Sequence, residues 1–268
     1  MVATVWDGTD YVPKVWDDWL ADQSGPLLVG ELGGQPVALA KLTGLGEGED
    51  WFEGLRVAPE QRGQGLARVM LRHCTALSRE RGMRVLRFTS SVHNTTMHRL
   101  AADLGFRLRY IAQWYNATAT TGEGENAHVE ATLNTLALDR LEELLADLER
   151  SALLRATGGL YAYGWTAFDL TEARLRAHLE QGEVQALADG SAWAILPKSD
   201  WGGFWVAHAQ GAPEPLERLL LALRRANAPQ EGTYLRAHFP QEPALTAALE
   251  AAGYTLGEHG AHIYESQF

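Results

Sequence analysis

The sequence predicts an α/β protein built from two consecutive domains, and three observations predict it. Segments with apolar residues at helical spacing alternate with short β-rich runs along the whole length. The 268 residues, 46% of them hydrophobic, suffice for two modest cores. The second half also echoes the first. Leu86-Arg87 precedes Leu104-Gly105-Phe106, and Leu235-Arg236 precedes Ala252-Gly253-Tyr254 at nearly the same separation. An internal repeat of a whole domain accounts for this. The run Ala117 to Asn126, rich in Thr, Gly and Glu, reads as the linker, which sets the domains at 1–120 and 127–268.

Taken in order, residues 11–22 form a helix through Val15, Trp16, Trp19 and Leu20. Leu27–Val29 and Val37–Ala40 are strands joined at Gly33-Gly34. A glycine-rich loop, Gly44 to Gly48, leads into a strand from Trp51 to Val57, and Pro59 ends it. A helix runs from Gly65 to about Arg81 with Leu66, Val69, Met70, Cys74 and Leu77 on its apolar face, and Gly82 stops it. Val85–Thr89 is a strand. Asn94 or Thr95 caps a helix that Gly105 terminates, and Phe106–Trp114 is the next strand. In the second half, helices are expected at 138–149, 170–179, 215–226 and 244–251. Strands are expected at 184–187, 192–196, 204–207, 233–237 and from Tyr254 onward.

Composition excludes several classes. A net charge of −11 without a basic stripe argues against nucleic acid as a partner. No stretch approaches the apolar length that spans a bilayer, and the start carries no basic, apolar leader, so a cytoplasmic protein is expected. Cys74 is the sole cysteine, which rules out an intrachain disulfide and reads as core. The nine histidines are scattered without supporting ligands, so no metal site is expected. Trp193, Trp201 and Trp205 read as sheet-face residues, with an aromatic acceptor pocket as the alternative.

The informative segment is Leu55-Arg56-Val57-Ala58-Pro59-Glu60-Gln61-Arg62-Gly63-Gln64-Gly65-Leu66-Ala67. A strand ends at a proline, and glycines then open a long helix. Glycine lets an anion approach the backbone, and the helix N-terminus turns N–H groups toward it. Arg62 adds a cation. A Rossmann fingerprint is not met, because position 68 is Arg, and no P-loop occurs. On residue chemistry alone the segment is either a pyrophosphate cradle or a glycine-rich turn without a ligand.

Here the sequence resembles the GNAT superfamily of N-acetyltransferases. Arg62-Gly63-Gln64-Gly65-Leu66-Ala67 matches the Gln/Arg-x-x-Gly-x-Gly/Ala signature. Val57-Ala58-Pro59 matches the approach to it, and Asn94 with Leu104-Gly105-Phe106 matches the next helix. The likeness covers about residues 26–115. It implies two tandem GNAT-like domains, each a mixed, mostly antiparallel twisted sheet flanked by helices. It further implies acetyl-CoA as acyl donor and direct transfer to an amine, without an acyl-enzyme. The sheet would splay at the Trp51–Val57 strand, backbone groups of Leu55, Arg56 and Val57 would pair with the pantetheine arm, and the amides of Arg62 to Ala67 would hold the pyrophosphate. Asn94 would lie near the thiol end.

The chemistry then needs a base for the ammonium proton, and Glu53 is the candidate. A backbone N–H near Leu55 or Arg56 would steady the oxyanion. The leaving thiolate wants a proton, which the family often draws from a Tyr seven residues after the motif Asn. That position here is Ala101, which leaves His98 or Tyr115 as substitutes. The family's first strand has no clear counterpart in residues 1–6, so either the second half contributes a strand or the first domain is trimmed. The second half lacks the cradle, reading Ala207-His208-Ala209-Gln210-Gly211-Ala212-Pro213, and is expected to be a degenerate copy. The leading expectation is acetylation of a small-molecule amine. Acetylation of a protein N-terminus or lysine, and a non-catalytic CoA-binding sensor or scaffold, are the alternatives. A homodimer stays open.

Overall fold

The computed structural model describes residues 10–118, 131–198, 203–226 and 234–268. Residues 1–6, most of the expected linker and Trp201 lie outside the described residues. Two compact units result: residues 1–108 with 263–268, and residues 109–262. The division falls before the linker, where the sequence reading places it at 120–127, and the chain's last residues count with the first unit.

The first unit runs α1 (Val12–Ala21), β1 (Leu27–Leu32), β2 (Gln35–Gly46), β3 (Glu49–Val57), α2 (Leu66–Glu80), β4 (Val85–Ser91) and α3 (Thr95–Asp103), and β5 (Arg107–Thr118) leads out of it. The expected loop at Gly44–Gly48 is largely strand: β2 continues to Gly46, and only a tight turn separates it from β3. Gly46 and Gly48, at φ +80° and +76°, supply the left-handed positions that this turn demands.

In the second unit follow β6 (Leu133–Thr135), α4 (Leu141–Arg150), α5 (Ala152–Ala156), β7 (Leu160–Tyr163), β8 (Thr166–Asp169), α6 (Glu172–Glu180), β9 (Val184–Leu187), β10 (Ala192–Ile195), β11 (Phe204–Val206) and β12 (His208–Gly211). Then come α7 (Pro213–Ala226), β13 (Tyr234–Phe239), α8 (Pro243–Ala251) and β14 (Thr255–Gln267). The short helix α5 and the β7–β8 hairpin are not foreseen from sequence; each is too short to show a period.

Strand order in the first unit is β1-β2-β3-β4, with the end of β14 beside β4. The second half thus does contribute a strand to the first unit, at a position next to β4. β1 pairs antiparallel with β2 and β2 antiparallel with β3, whereas β3 and β4 pair parallel. That parallel pair is short. Its register is Glu49↔Val85, Asp50↔Leu86 and Trp51↔Arg87, although both strands run on beyond it. The register with β2 explains the parting. Leu39 faces Arg56 and Lys41 faces Glu53, so β3 holds one extra residue there, a bulge around Gly54. Gly54 has φ +67°, and a Cβ there would lie 2.3 Å from the Trp19 ring of α1. Only glycine admits both the backbone angle and the indole.

The closed end of the sheet is pinned by charge. Arg87, 2% exposed, donates from Nη1 to Glu49 at 2.7 Å and from Nε to Glu265 at 2.5 Å. On the opposite face of β4, Leu71, Cys74, Leu86, Phe88, Leu100, Ala101, Phe106 and Tyr264 form the core between sheet and helices.

The second unit repeats the plan. The stretch 204–211 is one strand interrupted at Ala207. Its first part, β11, pairs parallel with β13, and its second part, β12, pairs antiparallel with β10. This is the same parting seen at β3 and β4. Gly105 and Gly253, at φ +77° and +78°, end the corresponding helices α3 and α8. The loop is what differs. Residues 58–65 separate β3 from α2, whereas Ala212 alone separates β12 from α7.

Arg87→Leu would remove the buried cation shared by Glu49 and Glu265, leaving Glu49 the half-exposed Arg84 at 3.4 Å. We expect it to destabilise the first unit by about 3–5 kcal/mol, read as loss of hydrogen-exchange protection in β3 and β4 and a lower denaturant midpoint.

Candidate active site

Beyond Trp51, β3 keeps β2 on one edge and no strand on the other, so the backbone edge of residues 52–57 borders an open slot against β4. β3 leads through residues 58–65 into α2, and this loop carries Gly63 and Gly65. Both glycines have φ +79°, and nothing lies within 4 Å of a Cβ built on either. Their requirement is conformational: alternating left-handed positions turn successive amides to one side, forming an anion nest. Among the described residues the amides of 63–68 donate to no protein acceptor, and the first such bond of α2 is Val69 N–H to the Gly65 carbonyl. Gly65 caps α2 without a side-chain bond. The helix thus presents its unmet amides and its positive pole to this loop.

The residues singled out from the sequence fall as follows. Arg62, exposed, donates from Nε to the Val57 carbonyl at 3.3 Å, which folds its side chain back along the mouth of the slot. Gln64 donates to Gln61, and Leu66 and Ala67 begin α2. The Arg56 guanidinium is engaged with Asp10 at 2.7 and 2.8 Å and with the Leu55 carbonyl at 3.0 Å, so what it offers the slot is main chain. Asn94 caps α3, its Oδ1 accepting from Met97 N–H at 3.1 Å.

Glu53 lies on β3 where the bulge begins. Its Oε1 accepts from the Thr43 hydroxyl at 2.6 Å. Burial raises its carboxyl above the ordinary value, while the Thr43 hydrogen bond and the charge of Lys41 pull it back and Asp22 pushes it up. A carboxylate so poised takes up a proton more readily than an exposed one. Cys74 is fully buried, and its thiol is pushed up to about 12 by burial and by Asp50. A thiol so held is a poor nucleophile.

Tyr115 does not join this group. It is a fully buried core residue of the second unit, its hydroxyl 3.0 Å from Thr246 Oγ1. A strand tyrosine reads alike in sequence whether its ring fills a core or lines a site. His98 is placed on α3 above β4, with Nε2 3.2 Å from the Val92 carbonyl. The residue that sequence reasoning misses is Tyr264 of β14, whose hydroxyl lies 3.0 Å from His98 Nδ1. No local signal could reveal a partner 166 residues away.

Residues 3–106 match the family model described as Acetyltransferase (GNAT) family. Nearly all of the first unit lies within that match, so the first unit resembles a GNAT domain. The acyl donor of that family is acetyl-CoA, and the residues present around the slot and the glycine nest fit that group. Unmet amides face the pyrophosphate position, and an unpaired strand edge faces the pantetheine position.

Several solved structures resemble nearly the whole chain. One is a GCN5-related N-acetyltransferase from Sphaerobacter thermophilus (TM-score 0.64, 14% identity, 97% of this chain and 86% of that one). Another, also a GCN5-related N-acetyltransferase, comes from Kribbella flavida (TM-score 0.50, 14% identity, 99% and 67%). At such identity the likeness is one of fold. Among curated relatives, the histidine N-acetyltransferase of Oreochromis niloticus is 37% identical over 82 residues, 30% of this chain and 24% of that protein. The human protein named "Probable N-acetyltransferase 16" is 27% identical over 196 residues, 66% and 52%. The chain thus spans between a quarter and about half of the relatives it matches. Among the described residues no helix is long and apolar enough to cross a membrane, and no group of three or more potential metal ligands gathers.

Thr43→Val in the first unit removes the donor that holds the Glu53 pKa down. If Glu53 must be ionised to act, the acid limb of the rate–pH profile moves to higher pH. Glu53→Gln should lower kcat about a hundredfold, measured by thiol release from acetyl-CoA.

Proposed function

We propose that this chain transfers the acetyl group of acetyl-CoA directly to an amine of a small molecule, with the first unit as the working site. The observation that carries this reading is the conjunction, within one unit, of the slot beyond Trp51, the nest at Gly63 and Gly65, and the half-buried Glu53. Backbone amides of the nest and Arg62 bind the pyrophosphate. The main chain of Leu55 to Val57 aligns the pantetheine arm, and Glu53 receives the ammonium proton directly or through water. Once deprotonated, the amine attacks the thioester carbonyl. The match to histidine N-acetyltransferases covers 82 residues, and it supports an acceptor carrying a free amino group on an amino-acid-sized molecule.

The second unit acts, in this reading, as a degenerate GNAT-like copy. The passage from β12 to α7 has one residue, Ala212, and the helix opens with Pro213, which has no amide donor. It shapes the molecule without holding a second acyl donor. The reaction is placed in the cytoplasm, consistent with a sole cysteine kept as a buried free thiol.

Calorimetric titration tests the site. Acetyl-CoA should bind the wild type, and the Arg62→Ala, Gly65→Glu double variant should weaken binding at least a hundredfold by removing a cation and inserting an anion. A panel of free amino acids, diamines and peptides then separates acceptors. Turnover confined to peptides would replace the small-molecule reading with N-terminal or lysine acetylation. Binding without turnover on any amine would favour a CoA sensor, and no binding would overturn the acyltransferase reading.

A further inference from the structure

Two arginines hold equivalent places in the two halves of the chain. In the first unit Trp51 of β3 pairs with Arg87 of β4, and in the second Trp205 of β11 pairs with Arg236 of β13. Leu86 and Leu235 precede the two arginines, and each belongs to the core between sheet and helices in its own unit. Arg87 and Arg236 therefore point to the other face of their strands. Arg87 is buried there against Glu49 and Glu265. At Arg236 the surroundings are neutral. Glu49 lies two residues before Trp51, whereas the residue two before Trp205 is Gly203. A Cβ at Gly203 would lie 2.0 Å from the Tyr234 carbonyl oxygen, so no side chain fits. On the strand beside β13, the residue opposite Arg236 is Asn116 of β5.

What surrounds Arg236 is aromatic. Its guanidinium carbon lies 5.8 Å from the ring centroids of both Trp205 and Tyr234, and among the described residues no carboxylate pairs with it. The chain has 34 Asp and Glu against 23 Lys and Arg, so this half-buried cation is not unpaired for want of anions. One rung along the same face, His238 stands opposite Trp114. Their rings stack 5.2 Å apart with planes 12° apart, and Trp205 meets His238 edge-on at 4.6 Å. Trp165, from the β7–β8 turn, closes on Trp114 at 4.6 Å yet stays 51% exposed. The Trp114 Nε1–H is buried and has no acceptor among the described residues. His238 is held neutral, its pKa lowered to about 3 by burial and by the charge of Arg236.

This face thus offers flat rings, a buried indole donor that lacks an acceptor, and a guanidinium that lacks an anion. One kind of molecule complements all three. A planar ring lays its face or edge on the indoles, and a carboxylate attached to it accepts from the guanidinium fork. A ligand oxygen that also reaches the Trp114 N–H removes the penalty of a buried donor left unmet. An organic cation would be drawn to the rings but repelled by Arg236, and an inorganic anion would leave the rings uncovered. We infer that the second unit binds a small aromatic or heteroaromatic carboxylate on this face, with Arg236 taking the carboxylate and Trp114 and Trp165 the ring. Because Ala212 alone separates β12 from α7, no glycine nest adjoins the face, and the molecule is bound there without being acetylated.

The test needs neither acetyl-CoA nor an acceptor amine. Benzoate is titrated into the full chain, with binding read by calorimetry and by tryptophan fluorescence. Benzamide, which keeps the ring and loses the charge, and acetate, which keeps the charge and loses the ring, are the comparators. Benzoate should bind the wild type saturably, and each comparator should bind about tenfold more weakly or worse. Arg236→Gln should lower benzoate affinity about tenfold or more and leave that of benzamide unchanged. Trp165→Ala, which removes an exposed ring, should weaken both. Benzoate that fails to bind the wild type at millimolar concentration overturns the inference. So does benzoate that binds Arg236→Gln as tightly as the wild type, or benzamide that binds the wild type as tightly as benzoate. Should Arg236→Gln lower the unfolding midpoint, the comparison of benzoate with benzamide on the wild type decides alone.

Discussion

β3 cannot keep two neighbours along its whole length, and the rest of the first unit depends on that. With one extra residue at the Gly54 bulge, its twist departs from that of β4 after Trp51. Trp19 packs where any side chain at position 54 would have to go, which fixes the bulge in place. At the other end, Arg87 between Glu49 and Glu265 ties β3, β4 and β14 together through a buried, hydrogen-bonded ion set. Such a set adds little stability over an apolar core, but it tolerates few alternative registers. One end of the strand pair is locked and the other is held apart, which gives a slot of fixed shape without a ligand to prop it open.

The chemistry inherits this shape. An unpaired strand edge is ordinarily a liability for aggregation, and here it is turned inward beside a helix N-terminus with unmet amides. Glu53 sits where the bulge begins, so the backbone feature that opens the slot also carries the carboxylate. In the proposed reading, binding geometry and proton transfer are therefore not independent properties of the fold. A substitution that regularised β3 would close the slot and move Glu53 together.

Much of this was legible in the sequence, for physical reasons. The α2 helix announced itself through Leu66, Met70, Cys74 and Leu77 on one face, and Gly82 and Gly105 mark helix ends because they alone adopt left-handed angles there without penalty. The glycine nest was readable from Arg62 to Ala67, and the repeat of the two halves from spacing alone. What the sequence hid are long-range juxtapositions. Tyr264 meets His98, and Glu265 meets Arg87, across most of the chain, and nothing near either residue encodes its partner. Tyr115 misled because its strand position carries no mark of burial. The break at Ala207 was hidden as well, since a strand that changes partners reads as one apolar run.

That β14 ends inside the first unit also has a consequence for synthesis. Domains usually fold in the order in which they emerge, but here residues 263–268 leave the ribosome after the whole of the second unit and belong to the unit whose other residues precede it. The first unit must wait, with the β4 edge that β14 will cover still bare, until translation has passed the whole of the second unit. A chain cut short anywhere in the second unit would lack both Glu265 and Tyr264, so the slot cannot be finished on an incomplete polypeptide.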